Sequence, residues 1–362
     1  MRNLFFSSLL FVSISCLSQE NSKVENVILI TIDGCRWQEI FNGADSMLLF
    51  GKKYGNSDAD RLIEKFWDND LNKRRERLLP FLWNTIAKEG RLYGNRNLGS
   101  RFSVRNKIRY SYPGYAEIFT GYVDTSFKTN DLVYNKNTNV FEFLNKQNKF
   151  KGKVASFASW DRANGFLNKQ RSTFFINAGY DDVNSEDLSF LQKTLNSLQK
   201  KYHTTEQARP DYITYLHAKE YVRQHQPKVL SIGFAWTDDM AHDGNYPKYL
   251  DKIFFFDNMI QDLWEYIQKL PQYKNKTALF IAVDHGRGLG ERWVGHGPDV
   301  PPSENHTNET WLAVLVPGMI KTGEVENGPE LFNAQIAGTI AKILGYKFET
   351  EYPVGLPIAD LF

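Results

Sequence analysis

Residues 26–33 read "NVILITID", an unbroken apolar run that ends in a carboxylate. Apolar side chains at every position, rather than every second one, suit a strand covered on both faces, as inside a parallel sheet. Asp33 then stands at the carboxyl tip of that strand. The same pattern returns along the chain. "KVLSIGFAWTDD" (228–239) ends in two acids, "TALFIAVDHG" (277–286) in Asp284 and His285, and "TWLAVLVPG" (310–318) in Pro-Gly; "KGKVASFAS" (151–159) is a weaker copy. Helix-patterned stretches lie between them at 80–90, 139–147, 249–270 and 331–345, the first and last closing on Gly90 and Gly345. This alternation predicts an α/β fold, a doubly wound, mostly parallel sheet flanked by helices. Such sheets bind ligands beyond the carboxyl ends of their strands, where this sequence places its acids and histidines.

The composition fits a folded chain. Of 362 residues, 42% are hydrophobic and 24% charged, and the net charge of +2 gives no sign of a nucleic-acid-binding surface. Residues 24–362 read as one catalytic domain, with the polar stretches 43–79 and 160–226 as loop-like excursions around its sheet. Residues 1–18 read as a signal peptide: Arg2, an apolar stretch from Leu4 to Val12, then small residues. Cys16 offers a lipoprotein variant, with a lipid anchor at that residue. The protein is therefore expected to be exported, periplasmic or secreted, or lipid-anchored to the outer membrane. Without Cys16, Cys35 is the remaining cysteine and no intramolecular disulfide can form. No later stretch reaches the roughly 18 consecutive apolar residues of a membrane span.

Candidate metal ligands gather at the strand ends: Asp33, then Asp238 and His242 in "TDDMAH", then Asp284 and His285, and His306 in "ENHTNETW". Each alone has a plain structural reading, as a helix cap, a turn or a surface histidine; their coincidence at strand ends favours a shared site. His203, His217 and His225 fall in a polar excursion and read as background, and His296 in "WVGHGPD" is left open. Ser111 in "YSYPGYAEIFTG" (110–121) reads either as an N-cap or as a nucleophile at the positive end of a helix. Three ionised carboxylates and a serine alkoxide carry four negative charges, which two divalent cations balance. Carboxylates and imidazoles suit zinc, with manganese as the alternative. Paired ions can hold both the attacking and the leaving oxygen of an in-line displacement.

"ILITIDGCRW", "SYPGYAEIFTG", "TDDMAH", "DHG" and "NHTNETWLAVLVPG" together resemble the alkaline phosphatase superfamily, in the branch of the type I phosphodiesterases/nucleotide pyrophosphatases and periplasmic alkaline phosphatases. The resemblance spans nearly all of the mature chain. It implies an alkaline-phosphatase-like fold and an exported two-metal hydrolase of phosphate esters, with monoesters placed ahead of diesters and a phosphoseryl intermediate on Ser111. It also implies one metal on Asp238, His242 and His306, and a second on Asp33, Asp284, His285 and Ser111. The family's phosphate-binding asparagine best matches Asn130, with Asn135 as rival. In "SWDRANG" (159–165), Trp160 stands where monoesterase relatives carry lysine, while Arg162 is kept as a candidate phosphate ligand. Tyr115 occupies the arginine position of the sulfatase motif, which disfavours a sulfatase. The superfamily's phosphomutases are cytoplasmic, against the leader. A catalytically degenerate binding protein is the remaining alternative. The substrate is expected to be a small phosphate ester, and no protein partner is implied.

Overall fold

The structure, a computed structural model, describes residues 24–51, 59–184, 187–201, 203 and 208–362; the leader and Cys16 lie outside them. Among the described residues the strands are β1 (Asn26–Ile32), β2 (Arg91–Tyr93), β3 (Phe102–Ser103), β4 (Val154–Ala158), β5 (Phe175–Ala178), β6 (Val229–Phe234), β7 (Thr277–Val283), β8 (Glu309–Thr310), β9 (Leu312–Leu315), β10 (Gly323–Glu324) and β11 (Leu331–Phe332). Eight of them form one sheet in the order β10-β2-β9-β7-β1-β6-β4-β5, and β11-β3-β8 form a small second sheet. In the large sheet β9 alone runs against its neighbours β7 and β2. The structure therefore bears out the expected mostly parallel sheet flanked by helices.

The central strand, β1, is apolar except at Asn26 and Thr31. All seven residues of β1 are buried, as are all seven of β7. Alternate side chains feed the two faces: Ile28, Ile30 and Ile32 enter one core, Val27 and Leu29 the other. The parallel register pairs Ile32 with Phe234 of β6 and with Val283 of β7. Three strands thus end level, and the next residue of each (Asp33, Ala235 and Asp284) emerges beside the others. That alignment positions the site.

The polar excursions are more ordered than their composition suggests. Segment 160–226 supplies edge strand β5 and the helices Phe190–Lys201 and Asp211–His225. Segment 43–79 holds the helices Ser46–Phe50, Ala59–Phe66 and Leu71–Leu78. The loop reading fails because a helix on the outside of a sheet needs only a narrow apolar stripe. "LNKRRERL" buries Leu78 and is started by Asp70, whose carboxylate accepts from the Asn72 and Lys73 N–H groups. Of the expected helices, 249–270 begins earlier, at Tyr246. The stretch 331–345 gives its first two residues to β11 and is helical over Gln335–Ile343. Among the described residues no helix is long and apolar enough to cross a membrane.

The helix Ser111–Thr120 crosses the carboxyl end of the sheet and touches it at Gly114. A Cβ there would lie 2.6 Å from the Asp284 carbonyl oxygen. Gly114→Ala should therefore destabilise the fold by roughly 1–3 kcal/mol, the usual cost of forced overpacking, seen as a lower urea midpoint. An unchanged midpoint would show that the helix can slide away from β7 freely.

Candidate metal centre and nucleophile

Ser111 is the first residue of its helix rather than its cap. The cap position is Tyr110, whose side chain makes no capping bond. The Ser111 hydroxyl turns instead to the strand ends, 3.2 Å from Asp33 Oδ1 and 3.2 Å from His285 Nε2. Capping comes from elsewhere: Asn130 Oδ1 accepts from the Tyr112 N–H at 2.9 Å. Asn130 consequently lies beside Ser111, and both line one cleft. The rival Asn135 is fully buried away from it, its backbone N–H donating to Gly165 and its carbonyl accepting from Asn168. One helical turn beyond Ser111, the Tyr115 hydroxyl donates to Asp33 Oδ2 at 3.2 Å.

Around this point the strand ends converge. His285 Nε2 stands 3.4 Å from Asp33, 3.4 Å from Asp284 and 3.8 Å from Asp238. Asp238 lies in the short helix Trp236–His242, where the four-residue spacing brings His242 Nε2 to 3.0 Å from its Oδ2. The third member of that group is His296, with Nε2 3.1 Å from His242 Nε2. Its ring stacks on His285 with centroids 3.8 Å apart.

His306 does not join them. It stands 2.8 Å from Glu309, which also accepts from the Trp37 indole. The physical reason lies in the loop after β7. Gly288 N–H bonds back to the Gly295 carbonyl, folding the loop on itself so that its far end, His296, returns over the strand tips. His306 comes after that return. Arg162 is also corrected. Its Nε donates to the Asn130 carbonyl at 2.8 Å and its Nη1 to both oxygens of Asp161, at 2.7 and 2.8 Å. These bonds fasten Asn130 in place instead of presenting an open fork to the cleft. Trp160 does line the cleft. His217 is buried in its helix, where burial pushes its imidazole down to about 3 and keeps it neutral.

Three buried carboxylates this close cannot all ionise unaided. Burial, then Asp238, pushes Asp33 well above the usual carboxylate range, and burial followed by Asp33 does the same to Asp284. For Asp238 burial is outweighed by Arg287, then by His296 and His242, so it is held well below that range. Asp284 Oδ2 is buried and accepts no hydrogen bond. An unsatisfied carboxylate oxygen among imidazoles is what a cation site looks like with protein atoms alone. Two groups among the described residues have donor atoms close enough to share an ion: Asp238, His242 and His296, and Asp33, Asp238 and His285. The residues therefore fit divalent metals.

Several supports went unread in the sequence. Asp211 takes the Ser159 hydroxyl at 2.6 Å and the Ala235 and Trp236 N–H groups at 2.9 and 3.1 Å, tying the ends of β4 and β6 together. Pro210 before it was the available signal, since proline and an acid mark a helix start. Glu117, buried in the Ser111–Thr120 helix, accepts from the Arg105 and Asn106 N–H groups. Asn106 in turn accepts from the Arg109 N–H, and the Arg109 carbonyl lies 2.9 Å from His296 Nδ1. This fixes the imidazole from behind, leaving Nε2 for the site.

The sheet order and the cluster at its strand ends define an alkaline-phosphatase-like α/β protein. The fold is shared with an alkaline phosphatase, PafA (TM-score 0.59, 12% identity, 94% of this chain and 99% of that one). It is shared too with the lipoteichoic acid synthase LtaP of Listeria monocytogenes (0.57, 12%, 94% and 76%) and the phosphonate monoester hydrolase of Agrobacterium radiobacter (0.52, 13%, 89% and 74%). The chain is also 24% identical over 194 residues to a probable 2,3-bisphosphoglycerate-independent phosphoglycerate mutase of Leptospira interrogans, covering 50% of this chain and 33% of that protein's length. The model of one family, type I phosphodiesterase / nucleotide pyrophosphatase, matches residues 49–316, and the chain belongs to that family.

The exchange of His306 for His296 can be measured. His296→Ala should weaken zinc uptake by more than the roughly 10–100-fold typical of losing an outer partner, whereas His306→Ala should leave it within about twofold; equilibrium dialysis distinguishes them, and the reverse ranking would restore His306. Glu117 is pushed up to about 7 by burial, from an ordinary 4.5. Its proton is thus held by the folded state. The associated stability is present below about pH 4.5 and is lost as pH rises to about 7, on the order of 3 kcal/mol. In metal-free protein, Glu117→Gln should remove that decline from urea titrations run across the interval. A variant as pH-sensitive as wild type would assign the decline to other groups.

Proposed function

We propose that the protein hydrolyses phosphate esters through Ser111, and that its substrates are diesters. The observation that carries the hydrolase reading is the Ser111 hydroxyl, held at a helix start 3.2 Å from both Asp33 and His285. Divalent cations held by Asp33, Asp238, His242, Asp284, His285 and His296 would supply positive charge to lower the pKa of the serine and to stabilise negative oxygen. The nitrogen and oxygen donor set suits zinc.

The chain's own groups do the rest. The positive end of the Ser111–Thr120 helix dipole favours a phosphoryl group beside the nucleophile. Asn130, fixed by Tyr112 and Arg162, is placed to donate its side-chain amide to a non-bridging oxygen. Ser111 Oγ, having given up its proton, bonds to phosphorus as one ester oxygen leaves with the bonding electrons and takes up a proton, giving a phosphoseryl diester that keeps the second substituent. Water then attacks that phosphorus, the Ser111 oxygen leaves and is reprotonated, and the monoester is released.

The cleft argues for diesters, where the sequence placed monoesters first. It encloses about 510 Å³, and among its described lining residues are Trp160, Trp236, Asp239 and Asp243 but no lysine or arginine. A second recess of about 450 Å³, lined by Tyr110, Arg292 and Asp299, shares Asn130 and His242 with it. A monoester brings a second negative charge, and no described lysine or arginine of the main cleft receives it. A diester brings one charge and two substituents, one for each recess. The leader sequence supports export as the setting.

The deciding measurement compares an aryl phosphate monoester with the matching diester, using zinc- and manganese-loaded protein. We expect the diester to turn over faster, and Ser111→Ala to lower kcat at least about a thousandfold while metal content stays unchanged. A faster monoester would sink the diester assignment; undiminished turnover in the variant would sink the nucleophile.

A further inference from the structure

Arg287, next after "DHG", is an arginine buried to within 1% of its surface. Its three nitrogens reach three different places. Nη1 donates to Asp238 Oδ1, Nε to the Trp293 carbonyl at 2.7 Å, and Nη2 to the Val294 carbonyl. The two carbonyls lie two and three residues before His296. Asp238 belongs to another element, the helix after β6. One guanidinium therefore bridges the two segments that supply the Asp238–His242–His296 group.

The geometry of Asp238 shows what the bridge does. Its Oδ1 is occupied by Arg287, and its Oδ2 faces His242 at 3.0 Å. The carboxylate cannot rotate without breaking the guanidinium contact, so Oδ2 stays directed into the group. The loop is held on its other side by Trp293, fully buried, whose ring meets Tyr246 and Tyr249 with centroids 5.3 Å from each. The room for Arg287 is made by Gly34, where a Cβ would stand 2.7 Å from Nη1. A planar fork with fixed donor directions can serve a carboxylate and two carbonyls at once; a lysine ammonium on its flexible stem cannot.

We propose that Arg287 is a positioning residue that assembles one of the two metal sites, by fixing Asp238 and the loop bearing His296 in mutual register. It contributes no donor atom to the ion. The inference rests on the two-metal reading above.

Zinc itself is the probe. Wild-type protein, stripped and then dialysed against zinc in a competing chelator, should take up two ions. Arg287→Gln should weaken the ion of the Asp238–His242–His296 group by about 10–100-fold, the range for an outer partner of a metal ligand, and the ion of the Asp33–Asp238–His285 group, which shares Asp238 but not His296, by at least about threefold less. Combining it with His296→Ala should add less than about twofold to the loss from His296→Ala alone, because both act on one site. Arg287→Lys, which keeps the charge but not the fork, should lose the same ion to a smaller degree, and it carries the test if Arg287→Gln does not fold. Two ions bound at wild-type strength in Arg287→Gln, or equal weakening of both ions, overturns the proposal while leaving the two-metal reading intact. Wild-type protein that takes up no zinc overturns both.

Discussion

Everything at the carboxyl edge of this sheet answers to one electrostatic constraint: three carboxylates, Asp33, Asp238 and Asp284, are brought together in a buried space. Backbone pairing forces them there. β1 is hydrogen-bonded to both β6 and β7 in parallel register, and the three strands end level. Like charges at such separation strongly oppose ionisation in a medium that water does not screen. Either protons or cations must be supplied. Protons are the first solution: burial and Asp238 push Asp33 up, burial and Asp33 push Asp284 up, and Arg287 holds Asp238 down. The alternation of acids with His242, His285 and His296 offers the second, because carboxylates and imidazoles together make a donor set for a divalent cation.

A site under such repulsion needs support from outside, and the structure supplies it on each strand. Asp211 fastens β4 to the start of the helix that succeeds β6. Arg287 fastens that helix to the loop after β7. Glu117 fastens the Ser111–Thr120 helix to the strap behind His296. All three are buried ionisable residues hydrogen-bonded mainly to backbone groups, in the arrangement by which outer partners tune first ligands. Their burial carries a desolvation cost, and orientation of the site is what offsets it.

The same constraint explains which parts of the molecule were legible in the sequence. Strands β1, β6 and β7 were legible because full burial on both faces favours apolar residues along the whole run, and their acids were legible because several such runs close on acids or histidines at once. Ser111 and Asn130 were legible through family resemblance and local spacing. The resemblance implies the ligand role for His306, and the sequence leaves His296 open; the structure brings His296 to His242, and linear order does not show which of two histidines before β9 a folded-back loop returns to the strand tips. Arg162 failed for a related reason: its neighbour Asp161 and the Asn130 carbonyl compete for its donors, and that competition exists only in three dimensions. The excursions misled through composition, since an outer helix such as Asp211–His225 can be polar over most of its surface yet bury His217, Thr214 and Asp211 against the sheet.

The same contrast bears on how the cleft selects. Its floor is dictated by the sheet: Asp33, Asp238 and Ser111 sit where strand register and the first helical turn place them. Its walls come from the segments that the sequence leaves least constrained, Trp160 and Ala208 from the 160–226 region and Trp236 from the turn after β6. Asp211 links the two kinds of structure, since its carboxylate binds Ser159, the residue before Trp160, and the backbone of Trp236 itself. A shift of the Asp211–His225 helix would move both tryptophans relative to Ser111 while leaving β1 and β7 in register. On the proposed function, substrate shape would be set by how an outer helix docks, and reactivity by how the central strands pair. The two can diverge independently on one scaffold, as expected where ligand sites are built from loops on a rigid sheet.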